Sequence, residues 1–199
     1  MTDRASTFRN AVTTLPEPLR PLAECHLYQL AERNPVAFES TASGDVNPRL
    51  LTLLARVVAS SDFVARVLAS GPDFLDEILA TSGLPPARKT GEIRHSVEQA
   101  SRLAADRESL GRALRTLRQK EIARVGWRDL IGAAPLEEVV ATLSELADAA
   151  IGAALHCAHR EVAERHGEPL GDDSGLPIRM TVLGLGKLGG RELNLSSDV

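Results

Sequence analysis

Cysteine and aromatic residues are scarce in this sequence. Its two cysteines, Cys25 and Cys157, lie far apart and neither belongs to a Cys-x-x-Cys pair. We therefore expect two buried free thiols in a reducing compartment, not a disulfide framework or a redox site. Aromatic residues make up only 3% of the chain. The core must be built from leucine, alanine, valine and isoleucine, a mixture that favours helices.

A strong charge of one sign and a long apolar run are also missing. The net charge of −4 gives no general attraction to nucleic acid or to an anionic membrane. The first ten residues contain no apolar run of the kind found in a secretory signal. No stretch approaches the roughly 20 apolar residues that span a bilayer. We therefore expect a cytoplasmic protein with neither nucleic acid nor membrane as a partner.

Helical periodicity dominates the first 176 residues. It predicts helices at 19–33, 48–60, 107–130 and 135–166, with shorter helices between 61 and 79. Proline and glycine residues mark the boundaries of the shorter helices, and Gly-Leu-Pro-Pro at 83–86 is the clearest interruption of the helical pattern. The helix at 135–166 would be about 48 Å long with one apolar stripe, which is typical of a helix packed along a bundle. The pattern predicts a mainly α fold with a helical, bundle-like region over residues 1–176.

Several polar groups on these helices have both a functional and a structural interpretation. His156 and His159 flank Cys157 but lack further metal ligands, so a structural or solvated role is preferred to a metal site. Trp127 is expected to be a packing anchor. A basic run spreads around its helix, which favours a solvated face with salt bridges over an anion site; it comprises Arg112, Arg115, Arg118, Lys120, Arg124 and Arg128.

The pattern changes after Gly167. Residues 178–183 alternate and are rich in β-branched side chains, which predicts a strand. The glycines of 184–190 follow. They satisfy the dinucleotide-binding spacing G-x-G-x-x-G, but that site also needs a long amphipathic helix afterwards, and only a short one fits here. A P-loop is excluded because Leu188 replaces the required Ser/Thr.

A third interpretation, a nucleotidyltransferase site, needs a strand, a glycine turn, a short helix and then a strand carrying two carboxylates one residue apart. The turn lets backbone N–H groups approach nucleotide phosphates. Carboxylates one residue apart share a strand face and can hold Mg²⁺. Asp198 stands at the right distance after Gly186. Residues 177–199 are thus predicted to be the start of an α/β nucleotidyltransferase domain.

One family carries a closely similar pattern. The GKLGG, EL and SSD elements of 184–199 resemble the active-site signature of the bifunctional glutamine synthetase adenylyltransferase/adenylyl-removing enzymes. Residues 114–130, a basic helix ending in W-R-D-L, resemble the family too, as do 143–148 (LSELAD) and 61–64 (SDFV). The resemblance extends from about residue 48 to the end of the chain.

The resemblance implies an Mg²⁺-dependent enzyme of nitrogen metabolism that adds AMP to a tyrosine of glutamine synthetase and removes it with phosphate, giving ADP. This chain resembles the N-terminal, adenylyl-removing half. Asp198 would be the first metal-binding, catalytic aspartate and its partner would be residue 200, so the chain alone is expected to be an inactive fragment. Nucleotide or phosphate contacts are expected from Gly186, Lys187, Gly189 and Ser197. ATP, ADP, phosphate and the PII signal protein are the further implied partners. The alternatives are a helical interaction module without activity and a dinucleotide site at 184–189.

Overall fold

The computed structural model describes residues 4–35, 38, 47–195 and 197, and this part of the chain is mainly helical. A short 3₁₀ helix at Glu17–Leu19 precedes the second α-helix. The α-helices in chain order are α1 (Arg4–Val12), α2 (Arg20–Arg33), α3 (Pro48–Ser60), α4 (Asp62–Ser70), α5 (Pro72–Ala80), α6 (Glu92–Leu103), α7 (Arg107–Leu130), α8 (Leu136–His166) and α9 (Gly186–Gly189).

The helix boundaries follow local capping chemistry. The side chain of Asn47 accepts a hydrogen bond from the backbone N of Arg49 (2.9 Å) at the start of α3, and Ser61 does the same for Val64 (3.3 Å) at the start of α4. At the start of α7, a backbone hydrogen bond from Ser109 lowers the pKa of Asp106 below its ordinary value. The predicted bounds of α3 and α7 are confirmed, and α2 and α8 each begin one residue later than predicted.

The chain divides into two compact units. The first comprises residues 1–87 and 122–135, and the second comprises 88–121 and 136–199. Helix α7 contributes its residues up to 121 to the second unit and the remainder to the first. The predicted boundary between residues 176 and 177 stays a prediction.

The first unit has an apolar core of the kind expected for this composition. Leu27, Leu54 and Trp127 are fully buried within it, and the ring of Phe8 meets that of Tyr28 edge to face at 5.2 Å. Each large apolar side chain buried in this way stabilises the fold by about 1.5–3 kcal/mol. Trp127 is therefore a packing anchor, as predicted. Cys25, by contrast, is exposed, so the expectation of two buried thiols holds only for Cys157.

The second unit is built on α6 and α8, which pack against each other. Ile93 of α6 and Leu146 of α8 are among its buried side chains. The carboxylate of Glu145 accepts hydrogen bonds from the backbone N of Gly91 (3.0 Å) and of Arg94 (3.3 Å). It thereby satisfies amides at the start of α6 that have no partner within the helix.

Helix α8 is long and apolar enough to cross a membrane, by length and composition alone. An 18-residue window in it has a mean hydropathy of 1.3, and 33% of that window is buried. This corrects the sequence expectation, which counted uninterrupted apolar residues and so overlooked a high average. Core helices of soluble proteins meet the same criterion, so the finding assigns no membrane location.

The predicted strand at 178–183 is wrong. The described residues contain no strand, and the only backbone pairing of this kind in them is an isolated antiparallel bridge between Leu170 and Pro177. A strand needs a neighbour for its N–H and C=O groups. Ile178 N donates to Pro169 O (2.8 Å), but residues 179–183 form no backbone hydrogen bond with another described segment. Its side chains stay exposed, Met180 to 69% and Leu183 to 80%. The predicted nucleotidyltransferase domain is therefore not seen in the described residues.

Candidate functional site

The glycine turn, residues 184–190, is shaped by glycine at two positions. Gly186 has φ +58°, a left-handed conformation that side chains rarely adopt. A Cβ atom added to Gly189 would lie 2.5 Å from the backbone O of Gly184. The two ends of the turn therefore approach each other more closely than any side chain at residue 189 permits.

The turn leaves donors free at its start. Its later amides are satisfied locally: Gly190 N donates to Gly186 O (2.9 Å) and Glu192 N donates to Lys187 O (2.7 Å). The amides of residues 186–188 have no acceptor in the described part of the chain. Exposed amides without a partner can donate to an anion such as a phosphate group.

The predicted binding residues divide into two places. Gly186, Lys187 and Gly189 share the short helix α9. This helix lies within the glycines, whereas the short helix predicted to follow them is absent, since residues 192–194 are not helical. Lys187 is exposed and forms no ion pair with another described residue. Ser197 lies beyond them in a turn of its own, where its hydroxyl donates to the Asn194 side chain (2.7 Å) and accepts from the Asn194 backbone N (3.1 Å). That hydroxyl already has two partners.

The predicted catalytic and metal-binding residue, Asp198, lies outside the described residues. Within those residues no group of three or more His, Cys, Asp or Glu side chains could hold a metal ion. A magnesium site that includes Asp198 therefore stays a prediction.

Arg191 has a role that the sequence analysis missed. Helix α9 ends at Gly189, and Arg191 follows it with φ +56°. Its guanidinium donates to the carboxylate of Asp148 on α8 (3.3 Å). A left-handed arginine costs roughly 1–2 kcal/mol, and nothing in the sequence pattern indicates such a backbone. This ion pair links the end of the glycine turn to the long helix of the same unit.

The dinucleotide-binding alternative requires a long helix after the glycines. Helix α9 contains only 4 residues, and residues 192–194 are not helical. The spacing Gly184-x-Gly186-x-x-Gly189 is thus present without the helix that packs against the sheet in a dinucleotide fold. The turn alone does not form a site of that class.

The arginines of α7 also differ from expectation at two positions. Arg124 and Arg128 were assigned to a solvated face, yet both are buried in the first unit. Their guanidinium groups, with the Trp127 indole, bind the proline loop, residues 83–86. Three of its backbone oxygens accept hydrogen bonds: that of Gly83 from Trp127 (2.9 Å), that of Pro85 from Arg128 (2.6 Å) and that of Pro86 from Arg124 (2.7 Å). Arg124 also pairs with Glu77. These arginines therefore serve the structure of the first unit.

Comparison with known proteins places these residues in a family. A family model described as glutamate-ammonia ligase adenylyltransferase matches residues 51–199. The bifunctional glutamine synthetase adenylyltransferase/adenylyl-removing enzyme of Thioalkalivibrio sulfidiphilus is 40% identical over 193 residues, which are 96% of this chain and 19% of the relative. The enzyme of the same name from Pseudomonas aeruginosa is 44% identical over 144 residues, or 72% of this chain and 15% of the relative.

The matches cover most of this chain but only a small part of the length of its relatives. The chain spans about a fifth of the length of the curated relatives named above. No solved structure matches it. Because the family model covers well over half of the chain and includes the whole glycine turn, the chain belongs to the glutamate-ammonia ligase adenylyltransferase family.

Proposed function

We propose that this chain is the N-terminal part of an enzyme that removes AMP from a tyrosine of glutamine synthetase. In this reaction a phosphate oxygen attacks the phosphorus of the tyrosine-bound AMP. The bond from phosphorus to the tyrosine oxygen breaks, and the products are ADP and free tyrosine. The same parent would add AMP from ATP in its other half. The PII signal protein is the proposed regulator, and the cytoplasm is the proposed location.

The glycine turn carries this proposal. Residues 186–188 present amides without an acceptor in the described chain, and the exposed ammonium of Lys187 is next to them. Together they offer the donors and the positive charge that a phosphate group needs. Gly189 keeps the turn tight enough for these donors to be close together. Ser197 is proposed to contact the same nucleotide once its bond to Asn194 is exchanged.

Mg²⁺ is the proposed cofactor, and Asp198 is the residue that would hold it. Magnesium prefers oxygen ligands, and a carboxylate following a glycine turn is of that kind. When bound, the metal would offset the charge of the attacking and leaving oxygens. The residues of the chain itself would bind and orient the phosphate.

A chimera tests which half of the reaction this segment performs. In the chimera, the 193 aligned residues of the Thioalkalivibrio sulfidiphilus relative are replaced by the matching part of this chain. A variant of the chimera also carries Asp198→Asn. Incubated with adenylylated glutamine synthetase, phosphate and Mg²⁺, the chimera should form ADP, and the variant should form it at least about a hundredfold more slowly. Chromatography of released ADP gives the rates.

Adenylylation of unmodified glutamine synthetase with ATP is the internal control. It should proceed at a similar rate in the chimera and in its Asp198→Asn variant, because that reaction belongs to the other half. Loss of adenylylation with phosphorolysis retained would contradict the proposal. A dinucleotide site would instead give NAD binding without Mg²⁺. A helical interaction module would give an Asp198→Asn variant with unchanged rates in both directions.

A further inference from the structure

An open groove of about 480 Å³ lies in the second unit between the first half of α7 and the second half of α8. Its α7 wall carries Leu110 and Leu114, and its α8 wall carries Ala154 and Ala158. The two alanines are exposed although they stand on a long helix with a strongly apolar 18-residue window. The groove therefore presents an apolar surface with small side chains on one wall.

The rim of the groove is positively charged. Arg107 and Arg115 line it, both are exposed, and neither forms an ion pair with a described residue. From residue 107 to residue 120 the helix carries five cationic side chains and one acidic one, Glu108, which is already paired with Arg112. On the opposite helix, the carboxylate of Glu161 accepts a hydrogen bond from the Cys157 thiol (3.9 Å). Glu108 also lines the groove and Asp106 precedes Arg107, so the α7 edge keeps a smaller but still positive net charge.

Dimensions and charge together indicate the occupant. Arg107 and Arg115 are eight residues apart, which is about 12 Å along a helix. Carboxylates seven or eight residues apart on a second helix have nearly the same separation. Small residues such as Ala154 and Ala158 let another helix approach closely, at an interaxial distance of about 8–10 Å. The apolar lining of the groove can pack against a stripe of leucine side chains, whereas it offers no favourable contact to a charged nucleic-acid backbone.

We infer that this groove docks an acidic amphipathic helix of a protein partner. The leucine face of that helix would cover the half-buried Leu114 and the two exposed alanines, and its flanking carboxylates would pair with Arg107 and Arg115. This is the helix-in-groove mode of recognition, with charge fixing the orientation. The inference does not depend on the proposed phosphorolytic activity.

A designed peptide tests the inference on the 199-residue chain. The probe is a fluorescein-labelled, capped 15-residue helix with one leucine stripe flanked by glutamates, and its counterpart has lysines in place of the glutamates. Fluorescence anisotropy should show the glutamate peptide binding at least about tenfold more tightly than the lysine peptide, with affinity falling as salt is raised. The double variant Arg107→Glu/Arg115→Glu should lose at least about tenfold in affinity.

Matched variants separate this groove from other surfaces. Ala154→Trp fills the groove without changing its charge and should also weaken binding at least about tenfold. Ala141→Trp places the same side chain at another exposed position of α8, and Arg94→Glu/Arg102→Glu reverses two exposed charges on α6. Both controls should stay within about twofold of the parent affinity.

Cys157 provides a second readout that needs no groove variant. It lines the groove and is buried, whereas Cys25 is exposed. In a Cys25→Ser chain, glutamate peptide at about ten times its Kd should slow alkylation of Cys157 about tenfold.

Four results would overturn the inference: equal binding of the two peptides, parental affinity in Ala154→Trp, loss of binding in the α6 double variant alone, or no binding at about 1 mM peptide. Displacement of the peptide by phosphatidylglycerol vesicles would assign the surface to a membrane instead and would equally refute a protein partner.

Discussion

The proline loop and the glycine turn are both irregular, glycine-containing segments, yet they are held in opposite ways. In the first unit, buried side chains of α7 donate to three carbonyls of the proline loop. In the second unit, the glycine turn is closed by its own backbone, and the described side-chain link nearby is the exposed pair of Arg191 with Asp148. The comparison indicates that the proline loop is fixed against the core by buried donors and that the glycine turn has backbone donors without an acceptor in the described chain.

Of the substitutions that test this comparison, replacement of Trp127 should change the free energy of unfolding most. Trp127→Ala removes the largest fully buried side chain and leaves the Gly83 carbonyl without its donor. We expect the free energy of unfolding of the first unit to fall by about 3–5 kcal/mol. Urea titration followed by circular dichroism measures this change, because the chain has no other tryptophan for fluorescence.

Trp127→Phe is the matched control, since it keeps an aromatic ring in the core while it removes the indole N–H and the smaller part of the indole's bulk. It should cost about 1–3 kcal/mol, the penalty for one buried carbonyl left unpaired. Equal stability of Trp127→Ala and the parent would show that the proline loop is not fixed by α7 and would remove the contrast between the two segments.

The helices could be predicted because their signals are local. Pro48 and Pro72 stand at first positions of helices, and Ser61 and Gly71 lie at helix boundaries, so α3, α4 and α5 follow from short stretches of sequence. The burial of Arg124 and Arg128 could not be predicted in this way. It depends on the proline loop, about 40 residues earlier in the chain, whose carbonyls face them only in the folded unit.

The candidate site was predicted only in part, because some of its features depend on a short stretch of sequence and others depend on distant residues. The glycine turn depends on residues within one short segment, and the spacing of its glycines was sufficient to indicate it. The formation of a strand is not determined by the local sequence alone, because its stability comes from hydrogen bonds to a neighbouring strand. The alternation at 178–183 therefore predicted a strand, but the described chain contains no partner strand for it. The left-handed backbone of Arg191 has no local signal either.

Gly189→Ala should have an intermediate and local effect. Its new Cβ would meet the Gly184 carbonyl oxygen at 2.5 Å, whereas a Cβ at Gly190 would meet the Gly186 oxygen at 3.4 Å. Opening the turn should cost about 1–3 kcal/mol locally. Hydrogen exchange of the Gly190 and Glu192 amides should accelerate at least about tenfold in Gly189→Ala.

The control for the turn is Gly190→Ala, which should change exchange of the same amides by less than about threefold. Identical protection in the two variants would mean that the close approach of Gly184 to Gly189 is not required. A general loss of protection in α6 and α8 would mean that the turn is as strongly coupled to its unit as the proline loop is to the first unit.

The smallest effect is expected from Leu183→Glu. Leu183 is 80% exposed in the segment before the glycine turn, whereas Leu54 is fully buried in the first unit. Leu183→Glu should change the free energy of unfolding by less than about 0.5 kcal/mol, and Leu54→Ala should lower it by about 2–5 kcal/mol. The glutamate should nevertheless reduce self-association in sedimentation velocity, because an exposed apolar stretch without a paired edge favours contact between copies. A large loss of stability in Leu183→Glu would show that this leucine is buried in solution, and the segment would then have to be regarded as part of a packed core.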